Sequence, residues 1–333
     1  MTMRSQSPDV QILRTLLEDS AQFHSGQALA EQLGLSRVAV WKRLENLKKQ
    51  GFTLEAIRNR GYRISGFPDH ATEAGILSQL PQEAPLESLT LFEESKSTNS
   101  EVLRLLATEE EAPLACITRK QPGGRGRRGR AWSGDFDGNV YASVGFRPNI
   151  SPRQLGLLTI WTGLRLCRRI HRETDLPVQL KWPNDLYLKG RKIAGILSES
   201  TFETERITSL VIGTGMNVNM RTEDIPEDLR SSATSLAAES GRLFHLDRMI
   251  AAVIEESTHA VNECILGIDE DRLADEWSTF ACFLGQEVYV QNSDEDRQTG
   301  TMIGIDRSGA LLLKDPNGAI RSYRAGDVSL RPL

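Results

Sequence analysis

Histidine and cysteine are scarce in this chain, and neither is placed for chemistry. Its 333 residues include five histidines, His24, His70, His171, His245 and His259, too dispersed for a metal cluster or a histidine base. No HExxH, Ser-His-Asp or GxxxxGK[ST] arrangement occurs, which removes zinc-hydrolase, triad and P-loop readings. The four cysteines (Cys116, Cys167, Cys264, Cys282) contain no CxxC pair. They fit neither a zinc site nor a disulfide framework, so a reducing, cytoplasmic setting is expected. No apolar run approaches the ~18–20 residues of a membrane span. Met1 to Arg14 is polar and lacks the apolar stretch of a signal peptide. Acidic excess is also small, at a net −5, too little basic charge for general nucleic-acid coating. With 39% hydrophobic residues and 27 glycines the composition is globular, and the length suits two or three domains.

The charge is unevenly spread. Residues 1–66 carry ten Lys/Arg against six Asp/Glu, a basic module on an acidic body. Ser7-Pro8 opens a helix bearing Ile12, Leu13, Leu16 and Leu17. A second helix spans 26–33, and Gly34-Leu35-Ser36 turns into a third over 37–50. Strands over 52–57 and 62–64 flank the turn Arg58-Asn59-Arg60-Gly61. Helix, tight turn and helix followed by a basic hairpin is a winged DNA-reading pattern. Val40, Leu44 and Leu47 should face inward, leaving Ser36, Arg37, Lys42, Arg43, Asn46, Arg58 and Arg60 for DNA. Trp41 suits either a DNA contact or partial burial.

Gly66-Phe67-Pro68 marks a boundary. Residues 67–283 mix helices (151–172, 246–266) with strands at 88–93, 114–119, 139–146, 178–182, 192–200 and 206–213. Adjacent strands without intervening helices favour a mixed sheet. Residues 284–333 hold short strands separated by turns, as in a small β-barrel.

Within the acidic body, residues 121–130 read Gln-Pro-Gly-Gly-Arg-Gly-Arg-Arg-Gly-Arg. Gly124, Gly126 and Gly129 satisfy GxGxxG, but no helix follows and Arg147-Pro148 stand where an acidic residue belongs, so a dinucleotide fingerprint is rejected. Glycines let amides approach an anion, and arginines supply forked donors for phosphate or carboxylate. Such a loop should be mobile alone and ordered by an anionic ligand. Ser97-Thr98-Asn99 follows a strand. Thr98 with Glu101 fits a capping box for a helix over 99–107, and the same side chains suit a neutral, amide-rich ligand. Lys181 lies in an apolar strand and either pairs with Asp185 or holds an anion. Lys192 is a second strand lysine. Residues 213–219 form a Gly/Asn-rich strand exit suited to a nucleotide, or an ordinary turn.

Together these motifs resemble the biotin–protein ligases, in the bifunctional subclass that also represses the biotin operon. The resemblance spans nearly the whole chain and rests on residues 124–130, Lys-Trp-Pro-Asn-Asp (181–185), Ser-Thr-Asn (97–99), 191–197 and Gly-x-Gly-x-Asn (213–217). Pro122-Gly123 departs from the pattern of some relatives. The resemblance implies a multidomain α+β fold: a winged helix-turn-helix (1–66), a class II synthetase-like mixed sheet (67–283) and an SH3-like barrel (284–333). It implies ATP, with Mg²⁺, and biotin as substrates, biotinyl-5′-AMP as intermediate, and biotin carboxyl carrier protein and operator DNA as partners. A homodimer is expected when the adenylate is bound. Ser97, Thr98, Asn99, Gln121, Arg125, Gly126, Arg127 and Lys181 then fall to biotin, with Lys181 and Arg127 catalytic. Trp132, Lys192 and Asn217 fall to the nucleotide. A lipoate ligase and a ligand sensor without catalysis are the rivals.

Overall fold

The computed structural model describes residues 7–108, 110–203, 206–291, 297–324 and 329–332. Residues 1–6, where the segment read as unlike a signal peptide begins, lie outside them. Helices α1 (Pro8–Glu18), α2 (Gly26–Leu33) and α3 (Arg37–Lys49) precede a hairpin of β1 (Thr53–Ile57) and β2 (Gly61–Gly66). Each start is chemically marked: Ser7, Ser25 and Ser36 accept the backbone amide three residues on. Gly34 ends α2 in the left-handed region, φ 63°, which glycine adopts without a Cβ penalty. Ile12, Leu13, Leu16, Leu29, Val40 and Leu44 form one buried cluster.

This module is fastened to the next. Val10 on α1 belongs to the core of the central domain. Arg14 Nη2 donates to the carbonyls of Leu77 (2.9 Å) and Leu80 (3.3 Å), at the end of α4 (Glu73–Gln79). Those carbonyls lack partners within a helix that stops there, so a cation from a neighbouring element completes them.

The central domain runs β3 (Ser88–Glu94), α5 (Thr98–Ala107), β4 (Leu114–Lys120), β5 (Val140–Phe146), α6 (Pro152–Thr174), β6 (Gln179–Lys181), β7 (Asp185–Leu188), β8 (Arg191–Glu203) and β9 (Arg206–Met216), then α7 (Leu236–Ser240), α8 (Leu246–Leu266) and α9 (Glu270–Phe280). The seven strands are ordered β3-β4-β5-β9-β8-β7-β6, parallel at β3/β4 and antiparallel elsewhere. Strand periodicity divides the layers: Leu114 and Cys116 of β4 pack with α5, while Ala115 and Ile117 enter the main core with α6 and α8. The four cysteines are free and buried. The last domain is an antiparallel sheet of β10 (Glu287–Gln291), β11 (Arg297–Ile305), β12 (Leu311–Lys314), β13 (Ile320–Tyr323) and β14 (Ser329–Pro332), ordered β13-β12-β11-β10-β14.

Three local expectations change. The strand expected over 178–182 is β6, and an additional strand not foreseen, β7, folds back on it after Trp182-Pro183-Asn184. Residues 213–216 continue β9 rather than leaving it. Helix α5 is capped by Ser97, whose Oγ accepts from Ser100 N, and not by Thr98. Thr98 therefore begins the helix and keeps its hydroxyl for other partners.

Candidate active site

The sheet gathers distant motifs around one pocket. Ser97, Thr98, Asn99, Gln121, Arg125, Gly126, Arg127, Trp132, Lys181 and Lys192 all line it. Asn217 does not line it; its Nδ2 donates to Thr234 O at 3.0 Å, beyond the end of β9.

One wall is neutral and has a defined hydrogen-bond direction. Thr98 N donates to Gln121 Oε1 at 2.8 Å, which fixes that amide. Asn99 Nδ2 donates to Glu199 Oε2 at 2.6 Å, so Asn99 Oδ1 must accept from Ser143 Oγ, also at 2.6 Å. Ser143 has then spent its proton, and its contact with Thr98 Oγ1 at 2.6 Å requires Thr98 to be the donor. The 3.0 Å contact from Thr98 Oγ1 to Gln121 Oε1 competes for that same proton. Oriented amides and hydroxyls without net charge suit a polar, uncharged ligand head. Gly213 makes room for this wall, because a Cβ there would overlap the Asn99 amide oxygen.

The opposite side is cationic. The arginine loop closes on itself through Gly126 N to Arg130 O (2.7 Å) and Trp132 N to Gly124 O (2.9 Å). Arg128 and Gly129 turn it in the left-handed region, φ 58° and 70°. Arg127 Nη1 donates to Asn184 Oδ1 at 3.0 Å, and Arg125 lies 3.4 Å from Glu199. Burial pulls the Arg127 guanidinium below its ordinary value, Asp185 opposes that, and Arg128 and Arg130 reinforce it. Lys181 is only 4% exposed, and its Nζ donates to Tyr187 Oη at 2.9 Å. Asp185, considered as its partner, instead pairs with Lys192 at 2.7 Å, because the β7/β8 hairpin brings those two together. Trp182, next to Lys181, donates from Nε1 to Gly309 O at 3.0 Å, tying the lysine strand to the last domain.

Trp132 rests on a floor of glycine. Gly195 and Gly215 are cross-strand partners, and a Cβ on Gly215 would stand 2.5 Å from the indole. Lys192 Nζ lies 5.2 Å from the ring centroid, and Trp132 Nε1 is buried with no hydrogen-bond partner among the described residues. An indole donor left unsatisfied in a cleft is available to a ligand.

Sequence reasoning missed Ser143, Tyr187 and Glu199, and gave Asn184, within the 181–185 motif, no role. Their signal was faint: Ser143 is the single serine of a mostly apolar strand, and Glu199 a carboxylate in β8.

In the first domain Ser36 is the cap of α3, with Oγ 3.1 Å from Ala39 N. Asn46 Nδ2 donates to Asp9 at 2.8 Å and Arg43 lies 3.6 Å from Asp9, so both turn toward α1. Arg37, Lys42, Arg58 and Arg60 are exposed. Arg60 sits over the Phe23 ring at 4.7 Å.

Comparison with known proteins decides the family. The model of the biotin/lipoate A/B protein ligase family matches residues 91–217, an HTH domain matches 10–63 and a biotin protein ligase C-terminal domain matches 283–331. The bifunctional ligase/repressor BirA of Bacillus spizizenii is 31% identical, covering 96% of this chain and 97% of that protein. The BirA of Escherichia coli is 32% identical, covering 94% of each. The chain belongs to the bifunctional ligase/repressor family. Its enzymatic part is a biotin ligase, and its helix-turn-helix is the DNA-binding part of a repressor. The Aquifex aeolicus biotin protein ligase in complex with biotin and ATP superposes with TM-score 0.63 at 27% identity, over 74% of this chain and 99% of its own.

Proposed function

We propose that this chain joins biotin to ATP, giving biotinyl-5′-AMP and pyrophosphate, and passes the biotinyl group to one lysine of a biotin carboxyl carrier protein. With the adenylate as corepressor it represses biotin-biosynthesis genes at an operator. The observation that carries this reading is the meeting of Arg127 and Lys181 in one pocket with the neutral Gln121–Thr98–Ser143–Asn99 wall.

The neutral wall receives the ureido ring, which is polar and uncharged. The biotin carboxylate then points to Arg127 and Lys181 and attacks the α-phosphorus in line, while the bond to pyrophosphate breaks. Lys181 and Arg127 spread the charge that grows on the phosphoryl oxygens. Trp132 and Lys192 hold the nucleotide. Among the described residues no cluster of three or more His, Cys, Asp or Glu is placed for a metal ion. Mg²⁺ would enter with ATP and would neutralise part of the phosphate charge beside Arg127, Lys181 and Lys192. In the second step the carrier lysine Nζ attacks the acyl carbonyl, AMP leaves and the amine proton passes to solvent. Positioning and electrostatics supply the rate, with no covalent enzyme nucleophile.

The division into 1–66, 67–283 and 284–333, a cytoplasmic location and an adenylate-dependent homodimer complete the reading. Among the described residues no helix is long and apolar enough to cross a membrane. One assay tests the core: the chain is incubated with ATP, a carrier domain and either biotin or lipoate, and the carrier lysine is probed for label. Biotin label alone is expected. Lipoate label, or none with pyrophosphate release absent, rejects the reading. Sedimentation with and without biotin plus ATP tests the dimer, and an unchanged association state rejects it.

A further inference from the structure

We propose that Val38 and Trp41 are sequence-reading residues of the DNA-binding domain and recognise the 5-methyl groups of thymines in the major groove. This rests on the DNA-binding reading above and goes beyond the charged residues considered for it.

The argument starts from the helical period. With Val40, Leu44 and Leu47 buried, about 3.6 residues per turn places Val38, Lys42, Glu45 and Lys49 on the opposite ridge of α3, and Trp41 about a quarter turn from it, on the side of the groove toward the wing. That ridge is the part of a recognition helix that enters the groove. Arg43 and Asn46 lie on a flank and are held by Asp9, and Ser36 is spent on the cap. The wing side of the exposed face is therefore led by an apolar pair, Val38 at 63% and Trp41 at 52% exposed. Ile57, at the tip of the wing strand, is exposed as well. These side chains line one groove of about 830 Å³ between α3 and the wing.

Charge decides the occupant. Arg37 and Arg58 line the same groove and Lys42 stands beside it, on a module with four more basic than acidic residues. A cationic rim around an apolar floor matches a polyanion that carries apolar groups at its base edges. In the B-DNA major groove the apolar group is the thymine methyl, flanked by phosphates on both strands. Arg37, Lys42 and Arg58 then position the duplex, and Val38 and Trp41 select A·T pairs at the steps they cover.

The test removes only the methyl. The full chain, with biotin and ATP, selects its site from a pool of random duplexes, and each thymine of that site is replaced in turn by deoxyuridine. Wild type should lose about fourfold in affinity at each contacted thymine, the worth of one buried carbon. Val38→Ala/Trp41→Ala should bind the parent duplex more weakly and no longer distinguish thymine from uracil. An enriched site at which every deoxyuridine duplex binds within twofold of its parent overturns this inference and leaves DNA binding intact. Discrimination that survives in the double variant overturns it too. A pool with no enriched sequence rejects sequence-specific binding itself. Because the deoxyuridine series uses the unmodified protein, its outcome does not depend on whether the variant folds.

Discussion

Gly213 and Gly215 lie two residues apart on β9 and face the same pocket, yet alanine at each should produce opposite kinetic signatures. At Gly213 the new methyl overlaps Asn99 Oδ1. The amide must swing away, breaking the bonds from Ser143 (2.6 Å) and to Glu199 (2.6 Å). Two lost hydrogen bonds at about 0.5–1.5 kcal/mol each, with a buried group left unpaired, amount to ~2–4 kcal/mol, or roughly 30- to 1000-fold in biotin affinity. At Gly215 the methyl meets Trp132 atoms at 2.5, 2.7 and 2.9 Å, so the indole must lift by about an ångström to reach ordinary contact. Overpacking of this kind costs ~1–3 kcal/mol, roughly 5- to 150-fold, and it should fall on ATP. Initial rates of pyrophosphate release, with biotin and ATP varied separately, read the two effects. Calorimetric biotin binding without ATP isolates the first. Gly215→Ala that weakens biotin and spares ATP, or Gly213→Ala that does the reverse, would refute the division of the pocket.

Two further outcomes follow from buried charge. Lys181→Met keeps the apolar stem and deletes the ammonium; adenylation should fall by roughly 10²–10³. Undiminished pyrophosphate release would end the charge-stabilising role of Lys181. Asp247 opens α8 and accepts from Thr72 N (2.8 Å) and Thr72 Oγ1 (2.7 Å). Burial pushes its carboxyl up to about 7 from 3.8, against the lowering effect of those bonds. The folded state therefore keeps a proton that the unfolded state gives up between pH 4 and 7, and stability falls as pH rises through that window, by on the order of 4 kcal/mol. Burial holds His245 down to about 4, which acts in the opposite sense over the lower part of this window, so the Asp247 contribution is the difference between the urea-midpoint profiles of wild type and Asp247→Asn from pH 4 to 8, which should diverge. Parallel profiles would contradict it.

What the sequence made legible was local. Ser7 and Ser36 announce helix starts because a cap acts on amides three residues away, and Val40, Leu44 and Leu47 fix the inward face of α3 by period alone. The two strand lysines stand out because charge is costly in apolar surroundings without a task, and the loop because four arginines crowd between glycines over residues 121–130. What stayed hidden depends on chain separation. Ser143 and Glu199 reach Asn99 across 44 and 100 residues, and Trp182 finds Gly309 across 127. Asp185 was offered Lys181 by proximity in the chain, but strand pairing delivered Lys192. Trp41 was open between burial and exposure, and only the packing of α3 decided it.

The grip of Arg14 on the carbonyls of Leu77 and Leu80 gives the reading head a fixed attitude on the body that carries the pocket. Such a molecule behaves less like beads on a string than like a key with its bit already cut. Were two such bodies to meet on one duplex, the shape of that junction would enter the spacing of their footprints in a way that the slack of a loose tether could not.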